Sequence, residues 1–113
     1  MNLQVDSFGG TKVIRVKEPR LIFPLLKEFS ARISKFIEGG TRMLIIDLSS
    51  VSYLDSVSYG CLLDIYRMMS ERNGTVKLVG LQERVEAMGS LVGLTRLIET
   101  FREEENALGS LRG

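Results

Sequence analysis

The sequence lacks histidine entirely, and its 113 residues include only one cysteine and two prolines. Without histidine, the chain has neither the commonest general base nor the commonest metal ligand, so Ser-His-Asp and Cys-His catalysis are excluded. The lone Cys61 excludes an internal disulfide and a cysteine metal cluster. The glycines do not have the spacing of a phosphate-binding loop. We therefore expect a binding or regulatory protein, not an enzyme, with no cofactor and no metal.

The chain also lacks an excess of charge of one sign, and it lacks long apolar runs. The chain has 15 basic and 14 acidic residues and a formal net charge of +1, which gives no reason to expect a nucleic-acid or anionic-membrane partner. No apolar run approaches the length of a bilayer, and the first ten residues do not resemble a secretion signal. With 44% apolar residues, the composition predicts one compact domain over residues 1–113. A cytoplasmic location is expected.

Hydrophobic spacing predicts alternating strands and helices, and therefore an α/β sheet. Gly9-Gly10 is expected to turn a hairpin, Pro24 to fall in the first turn of a helix, and residues 43–48 to form a central strand covered on both faces. The predicted strands span residues 3–8, 12–17, 43–48, 76–79 and, as a short edge strand that could instead be part of a helix, 94–101. The predicted helices span residues 21–37, 57–72, 82–88 and 103–108.

The segment from Met43 to Leu63 carries the functional signal. An apolar strand runs into a polar turn, and Asp55 and Ser56 then stand at the start of an apolar-faced helix, where either side chain could be the N-cap. A serine hydroxyl at this place is exposed and open to modification. The bland alternative is that Ser56 only caps the helix. Asp47 and Asp64 are expected to be structural or solvated, and Cys61 to pack as a small hydrophobe.

The order Asp47-Leu48, then Leu54-Asp55-Ser56 opening a helix, with Gly93-Leu94 downstream, resembles the STAS domain and, within it, the bacterial anti-sigma factor antagonists. The resemblance implies a STAS-like mixed sheet of four to five strands, with helices packed mainly on one face. It also implies that Ser56 is phosphorylated by an anti-sigma factor with serine kinase activity, which binds the ATP, and that a serine phosphatase reverses the step. The unphosphorylated form would bind that partner and free the sigma factor.

The residues after Ser56 depart from the pattern of the family, which commonly has a small hydroxyl residue, a glycine, an aliphatic residue and a second glycine. Here only the second glycine, Gly60, is kept, and Ser58 becomes an alternative phosphorylation site. The predicted partner-binding residues are Asp55, Ser56, Val57, Ser58, Tyr59 and Gly60. Two other functions stay open: a STAS-type ligand-sensing or protein-interaction module that is not regulated by phosphorylation, and a weak nucleotide hydrolase, which the missing motifs disfavour.

Overall fold

The chain folds as an α/β domain around a five-stranded mixed sheet. A computed structural model describes residues 1–112. Within that range the strands are β1 (Leu3–Phe8), β2 (Thr11–Val16), β3 (Arg20–Leu21), β4 (Met43–Asp47), β5 (Tyr53–Leu54), β6 (Thr75–Val79) and β7 (Thr100–Phe101). The helices are α1 (Phe23–Glu38), α2 (Ser56–Glu71), α3 (Glu83–Leu91), α4 (Leu94–Leu97) and α5 (Glu104–Arg112). None of these helices is long and apolar enough to cross a membrane.

The main sheet has the strand order β1-β2-β4-β6-β7, so β4 is central, as predicted. β1 and β2 form the predicted antiparallel hairpin, whereas β2, β4, β6 and β7 run parallel to one another. β3 and β5 form a separate two-stranded parallel sheet. Because parallel strands need crossovers, the helices lie against the faces of the sheet and leave its carboxyl edge free for loops.

Both faces of β4 are covered, which explains its continuous apolar run. Leu44 and Ile46 belong to the large core that includes buried residues of α1, α2, α3 and α4. Ile45 faces the other way and packs with Val13, Val79 and Ala107 of α5 in a smaller cluster. The expectation of helices mainly on one face is therefore confirmed, with α5 as the exception.

An ion pair also attaches α5 to the sheet, in addition to this smaller apolar cluster. Arg15 on β2 donates from Nε and Nη2 to the two carboxylate oxygens of Glu104, at 2.6 and 2.8 Å. The same guanidinium also pairs with Asp6 on the edge strand β1. A bidentate pair of this kind adds geometric specificity, so it fixes where α5 begins on the sheet.

Several predicted boundaries differ from those in the structure. Helix α1 begins at Phe23, not at residue 21, because Leu21 belongs to β3 and pairs with Leu54. The prediction of an edge strand over residues 94–101 holds only for β7, since the first part forms α4. Leu94 and Ile98, four residues apart, are both buried, so one side of this short turn faces the core. The predicted helix at 82–88 extends to Leu91.

The loops that follow β4 and β6 touch at Gly80. This residue has φ +75°, and an added Cβ would lie 2.7 Å from Cβ of Ser49. Gly80 is therefore required both by its backbone conformation and by close packing. The contact fixes the loop that leads from β4 toward Ser56.

Replacing Gly80 by alanine should test this contact. Gly93→Ala is the matched control, because Gly93 has a similar φ of +84° and open space around its Cβ. Backbone strain alone should cost the control about 1 kcal/mol of unfolding free energy, and Gly80→Ala should lose about 3 kcal/mol because the clash adds to the strain. Urea unfolding of both variants measures the difference. Equal losses would show that the close packing does not matter.

Candidate functional site

The candidate site lies where the segment after β4 meets the segment before α1. β5 pairs in parallel with β3, so Tyr53 stands beside Arg20 and Leu54 beside Leu21. Ser52 adds a backbone bond from its N–H to the Pro19 carbonyl, 2.9 Å long. The chain therefore enters α1 and α2 side by side, and their amino termini point to the same region.

Asp55 binds the amino termini of both helices. It is the N-cap of α2, and its Oδ1 accepts the Ser58 N–H at 2.9 Å. Its Oδ2 accepts the Phe23 N–H, the first amide of α1, at 2.8 Å. Ile22, at the N-cap position of α1, offers no side-chain acceptor of its own. One carboxylate thus satisfies a free donor at each of two helix starts.

These bonds also lower the pKa of the Asp55 carboxyl. The Ser58 hydroxyl contributes most, burial works in the opposite direction, and the backbone N–H groups of Phe23 and Ser58 add to the lowering. Hydrogen bonds to the charged form favour that form. Asp55 is therefore a carboxylate at neutral pH.

Ser56 is the first residue of α2, and it is exposed, as is Val57 after it. Between the two possible N-caps, the structure selects Asp55 and leaves the Ser56 side chain outside the capping bonds. Half of the Val57 surface is open to solvent. A hydroxyl at the amino end of a helix stands where the peptide dipoles favour added negative charge.

Ser58 and Tyr59, both predicted to bind the partner, are buried, although Tyr59 also lines the groove described below. The Ser58 hydroxyl is fully buried, 2.6 Å from Asp55 Oδ1 and 2.8 Å from the Leu21 carbonyl oxygen. The Tyr59 hydroxyl donates to the Val85 carbonyl at 3.0 Å, and burial raises its pKa. In the folded chain, the Ser58 hydroxyl is therefore withdrawn from the surface, whereas Ser56 is exposed.

Gly60 is partly exposed, and a Cβ added to it would meet no atom within 4 Å. Packing within this chain therefore does not require the glycine. Of the six predicted contact residues, Ser56 and Val57 are the exposed ones, while Asp55 and Gly60 are partly so.

A groove of about 660 Å³ opens beside Ser56. Helix α3 forms the wall opposite Ser56, and the groove is mainly lined by apolar atoms. Its lining residues are Tyr53, Leu54, Asp55, Ser56, Tyr59, Arg84, Val85, Ala87, Met88 and Val92. The part contributed by α3 was missed at the level of sequence. The sequence did contain a signal, because Met88, Leu91 and Val92 are apolar. The packing of α3 against the core uses Val85, so these three further apolar residues are not needed for the core.

Exposed apolar side chains gather around Ser56. Tyr53, Met88 and Val92 line the groove and are all exposed, and Val57 follows Ser56 directly. Phe23, whose amide is bound to Asp55, is 66% exposed. The guanidinium of Arg20 lies 5.2 Å from the Tyr53 ring, which adds a positive charge at the edge of the patch. Clustered exposed apolar residues beside polar ones are typical of protein-binding surfaces.

The other candidate residues, Asp47, Asp64 and Cys61, make contacts within the fold or at its surface, away from the groove. Asp47 accepts from the Ser49 N–H and hydroxyl at 2.9 and 2.7 Å, which forms the turn after β4. Asp64 pairs with Arg67 at the surface. Burial raises the pKa of the Cys61 thiol, whose sulfur lies 3.2 Å from the Ser30 hydroxyl. A thiol with a raised pKa is a poor nucleophile.

Comparison with known proteins identifies the relatives of the chain. The model of the STAS domain matches residues 2–107. The anti-sigma-B factor antagonist of Bacillus subtilis is 28% identical over 112 residues, which cover 96% of this chain and 99% of that protein. The anti-sigma-B factor antagonist of Listeria monocytogenes is 31% identical over 71 residues, 63% of this chain and 59% of that protein.

Solved structures show the same fold. The anti-sigma factor antagonist SpoIIAA in its unphosphorylated form superposes with a TM-score of 0.85 at 24% identity, over 99% of this chain and 97% of that one. The phosphorylated form of SpoIIAA from Bacillus gives a TM-score of 0.78 at 23% identity, over 98% of this chain and all of that one.

The double cap at Asp55 predicts a pH-dependent stability. The lowered pKa means that the carboxylate stabilises the fold above the ordinary aspartate pKa of about 4, and that this contribution disappears as the pH falls through the lowered value. Asp55→Ala should lose about 1 to 2 kcal/mol of unfolding free energy at pH 7. In urea unfolding, the gap between wild type and variant should narrow on acidification. A gap that is the same at pH 7 and below pH 3 would contradict this role.

Proposed function

The chain belongs to the STAS domain family, and from this membership we propose that it is an anti-sigma factor antagonist that phosphorylation of Ser56 switches off. In its unphosphorylated form it binds an anti-sigma factor and thereby releases the sigma factor. The observation that carries the proposal is the exposed Ser56 at the first position of α2, beside an apolar groove. The names of the Bacillus subtilis and Listeria relatives support the partner class.

The binding state of the protein is the unmodified one. The exposed side chains of Tyr53, Val57, Met88 and Val92 offer apolar area at one end of the molecule. Burying such area against a partner is favourable, at roughly 25 cal/mol per Å². Ser56 lies within this surface, so its hydroxyl is covered when the partner binds and is within reach of the partner's own active site.

A phosphate on Ser56 changes charge at one point. It adds about −1.5 to −2 charges, so the formal net charge moves from +1 to roughly −0.5 to −1. The amino end of α2 tolerates the phosphate, and the fold persists. SpoIIAA, whose structure is known in both forms, supports this step. The neighbouring Asp55 carboxylate adds like-charge repulsion, and a partner that covers the site would have to bury an unpaired dianion.

This chain acts as a substrate in the switch, not as an enzyme. The partner, an anti-sigma factor with serine kinase activity, brings Mg·ATP and the catalytic groups, because phosphoryl transfer depends mostly on positioning and electrostatics. A serine phosphatase restores the binding form. Sigma factors act on RNA polymerase inside the cell, so the proposal includes a cytoplasmic location.

The switch is tested with purified anti-sigma factors encoded in the same genome and with ATP. One phosphate should be added, at Ser56, and peptide mass spectrometry should find none at Ser58 because that hydroxyl is buried. Calorimetry should show at least about 100-fold weaker binding after phosphorylation, since enclosing an unpaired dianion costs several kcal/mol and each ~1.4 kcal/mol is tenfold.

Ser56→Ala is the control for this experiment. It should bind like the unmodified wild type and accept no phosphate. If the regulation of the wild type persists in Ser56→Ala, the switch is refuted, and the alternative of a STAS-type interaction or ligand-sensing module without phosphorylation is favoured.

The groove beside Ser56 is tested separately with Met88→Glu. A charge at this half-exposed position should weaken binding of the anti-sigma factor about tenfold or more, because an apolar contact is lost and a charge is buried. Leu97→Glu is the matched control, since Leu97 is similarly exposed but lies on α4, outside the groove. It should bind within about twofold of wild type. Similar losses in both variants would remove the groove from the interface.

A further inference from the structure

We propose that the partner-binding surface extends onto the start of α1 at Phe23, and that Asp55 is the positioning residue that couples this helix to the charge on Ser56. The partner is the anti-sigma factor of the proposed function, so this part of the inference rests on that proposal. The coupling between Ser56 and Phe23 lies within the chain and can be measured without any partner.

The first turn of α1 depends on a side chain from another part of the sequence. Of its first two residues, Pro24 has no N–H, and the N–H of Phe23 is bound by Asp55 Oδ2 at 2.8 Å. Ile22 provides only its backbone carbonyl, which accepts from Leu25. Among residues 1–112, Asp55 is the side chain that holds this helix start.

Both oxygens of the Asp55 carboxylate are committed. Oδ1 accepts from Ser58 in α2, and Oδ2 accepts from Phe23 in α1. A rotation of the carboxylate toward one helix therefore breaks its bond to the other. The first turns of the two helices are therefore coupled through Asp55, which lies 32 residues from Phe23 in the sequence.

The segments before the two helices are fixed independently of Asp55. β3 pairs with β5, and Ser52 binds the Pro19 carbonyl through both its N–H and its hydroxyl. When the hydrogen bond between Asp55 and Phe23 breaks, β3 and β5 therefore stay in place. The change is limited to the first turn of α1.

Phe23 has the properties of a binding anchor. Its side chain is apolar and 66% exposed. It lies where the first turn of α1 meets the first turn of α2, next to Asp55 and Ser56. An aromatic side chain on a rigid base loses little conformational freedom on binding, which is why aromatic residues dominate protein interfaces. The surface around Ser56 thus continues across Asp55 onto α1.

Phosphorylation of Ser56 acts on the hydrogen bonds of Asp55 through the negative charge of the phosphate. The phosphate stands next to the Asp55 carboxylate and competes with it for the free N–H groups at the start of α2. Like-charge repulsion weakens the hold of Asp55 on Phe23, so the first turn of α1 loosens. The partner then meets a dianion at Ser56 and loses an ordered aromatic contact at Phe23.

The coupling is tested in the full chain carrying phosphoserine at residue 56, incorporated during translation so that no kinase is needed. Amide exchange measured by NMR should be about tenfold faster at Phe23 than in the unmodified chain, and unchanged at Ile33 in the middle of α1. Unchanged exchange at Phe23 would overturn the coupling.

Asp55→Asn tests the two hydrogen bonds of Asp55, to Phe23 and Ser58, without phosphate. The asparagine amide has one acceptor oxygen, so it can serve either Phe23 or Ser58, and one of these two amides should exchange about tenfold faster. Asp64→Asn is the matched control, because it removes one carboxylate from the exposed face of α2. Wild-type exchange at both amides in Asp55→Asn would overturn the role of Asp55.

The binding role of Phe23 is tested with Phe23→Ser against the purified anti-sigma factor. Affinity should fall about tenfold, whereas the control Phe8→Ser should stay within about twofold. Phe8 is also exposed, but it lies at the hairpin end of β1, level with the start of β4, while the candidate site follows the end of β4.

The two proposals fail in different ways. If wild type binds and switches while Phe23→Ser binds equally well, the surface on α1 is refuted and the proposed function stands. If wild type binds no anti-sigma factor, the proposed function fails, and faster exchange at Phe23 in the phosphoserine protein still supports the coupling.

Discussion

The carboxylate of Asp55 holds the first turns of two helices, and the geometry of the candidate site depends on it. Its two oxygens accept from Ser58 in α2 and from Phe23 in α1. Because a carboxylate has no donor, it can serve two helix starts only while it stays charged. The surface that the partner would contact is therefore assembled by an electrostatic interaction, and under our proposal a second negative charge beside Asp55 would act on both helices.

The rest of the fold makes this local effect possible. The central strand β4 is covered by α1, α2, α3 and α4 on one face and by α5 on the other, and Gly80 locks the loop that leaves it. A close-packed platform of this kind deforms little when one surface charge changes. A switch based on repulsion at the interface thus suits the molecule better than a switch based on a rearranged core.

Patterns that are local in sequence predicted most of the architecture. The apolar run of β4, the hairpin at Gly9-Gly10 and the periodic face of α2 each follow from neighbouring residues, and the structure confirms all three. β3 was missed because two residues show no periodicity, and their pairing partner lies far away in the chain.

The candidate site was predictable only in part. The exposure of Ser56 follows from its place at a helix start, but the burial of Ser58 depends on the distant Leu21 carbonyl. The wall of the groove on α3 was missed because the exposed Met88 and Val92 look like core residues in sequence. Which apolar residues stay exposed is decided by how far the core reaches, and one helix alone does not contain that information.

The burial of Ser58 also has a consequence for fidelity. Two hydroxyls stand two positions apart, and an extended chain would offer both to a transferase. Folding withdraws one of them beneath Leu21 and Asp55 and leaves the other at the surface. If Ser56 is phosphorylated as proposed, regioselectivity is built into the acceptor itself, and an enzyme with loose sequence preference would still produce a single, unambiguous signal.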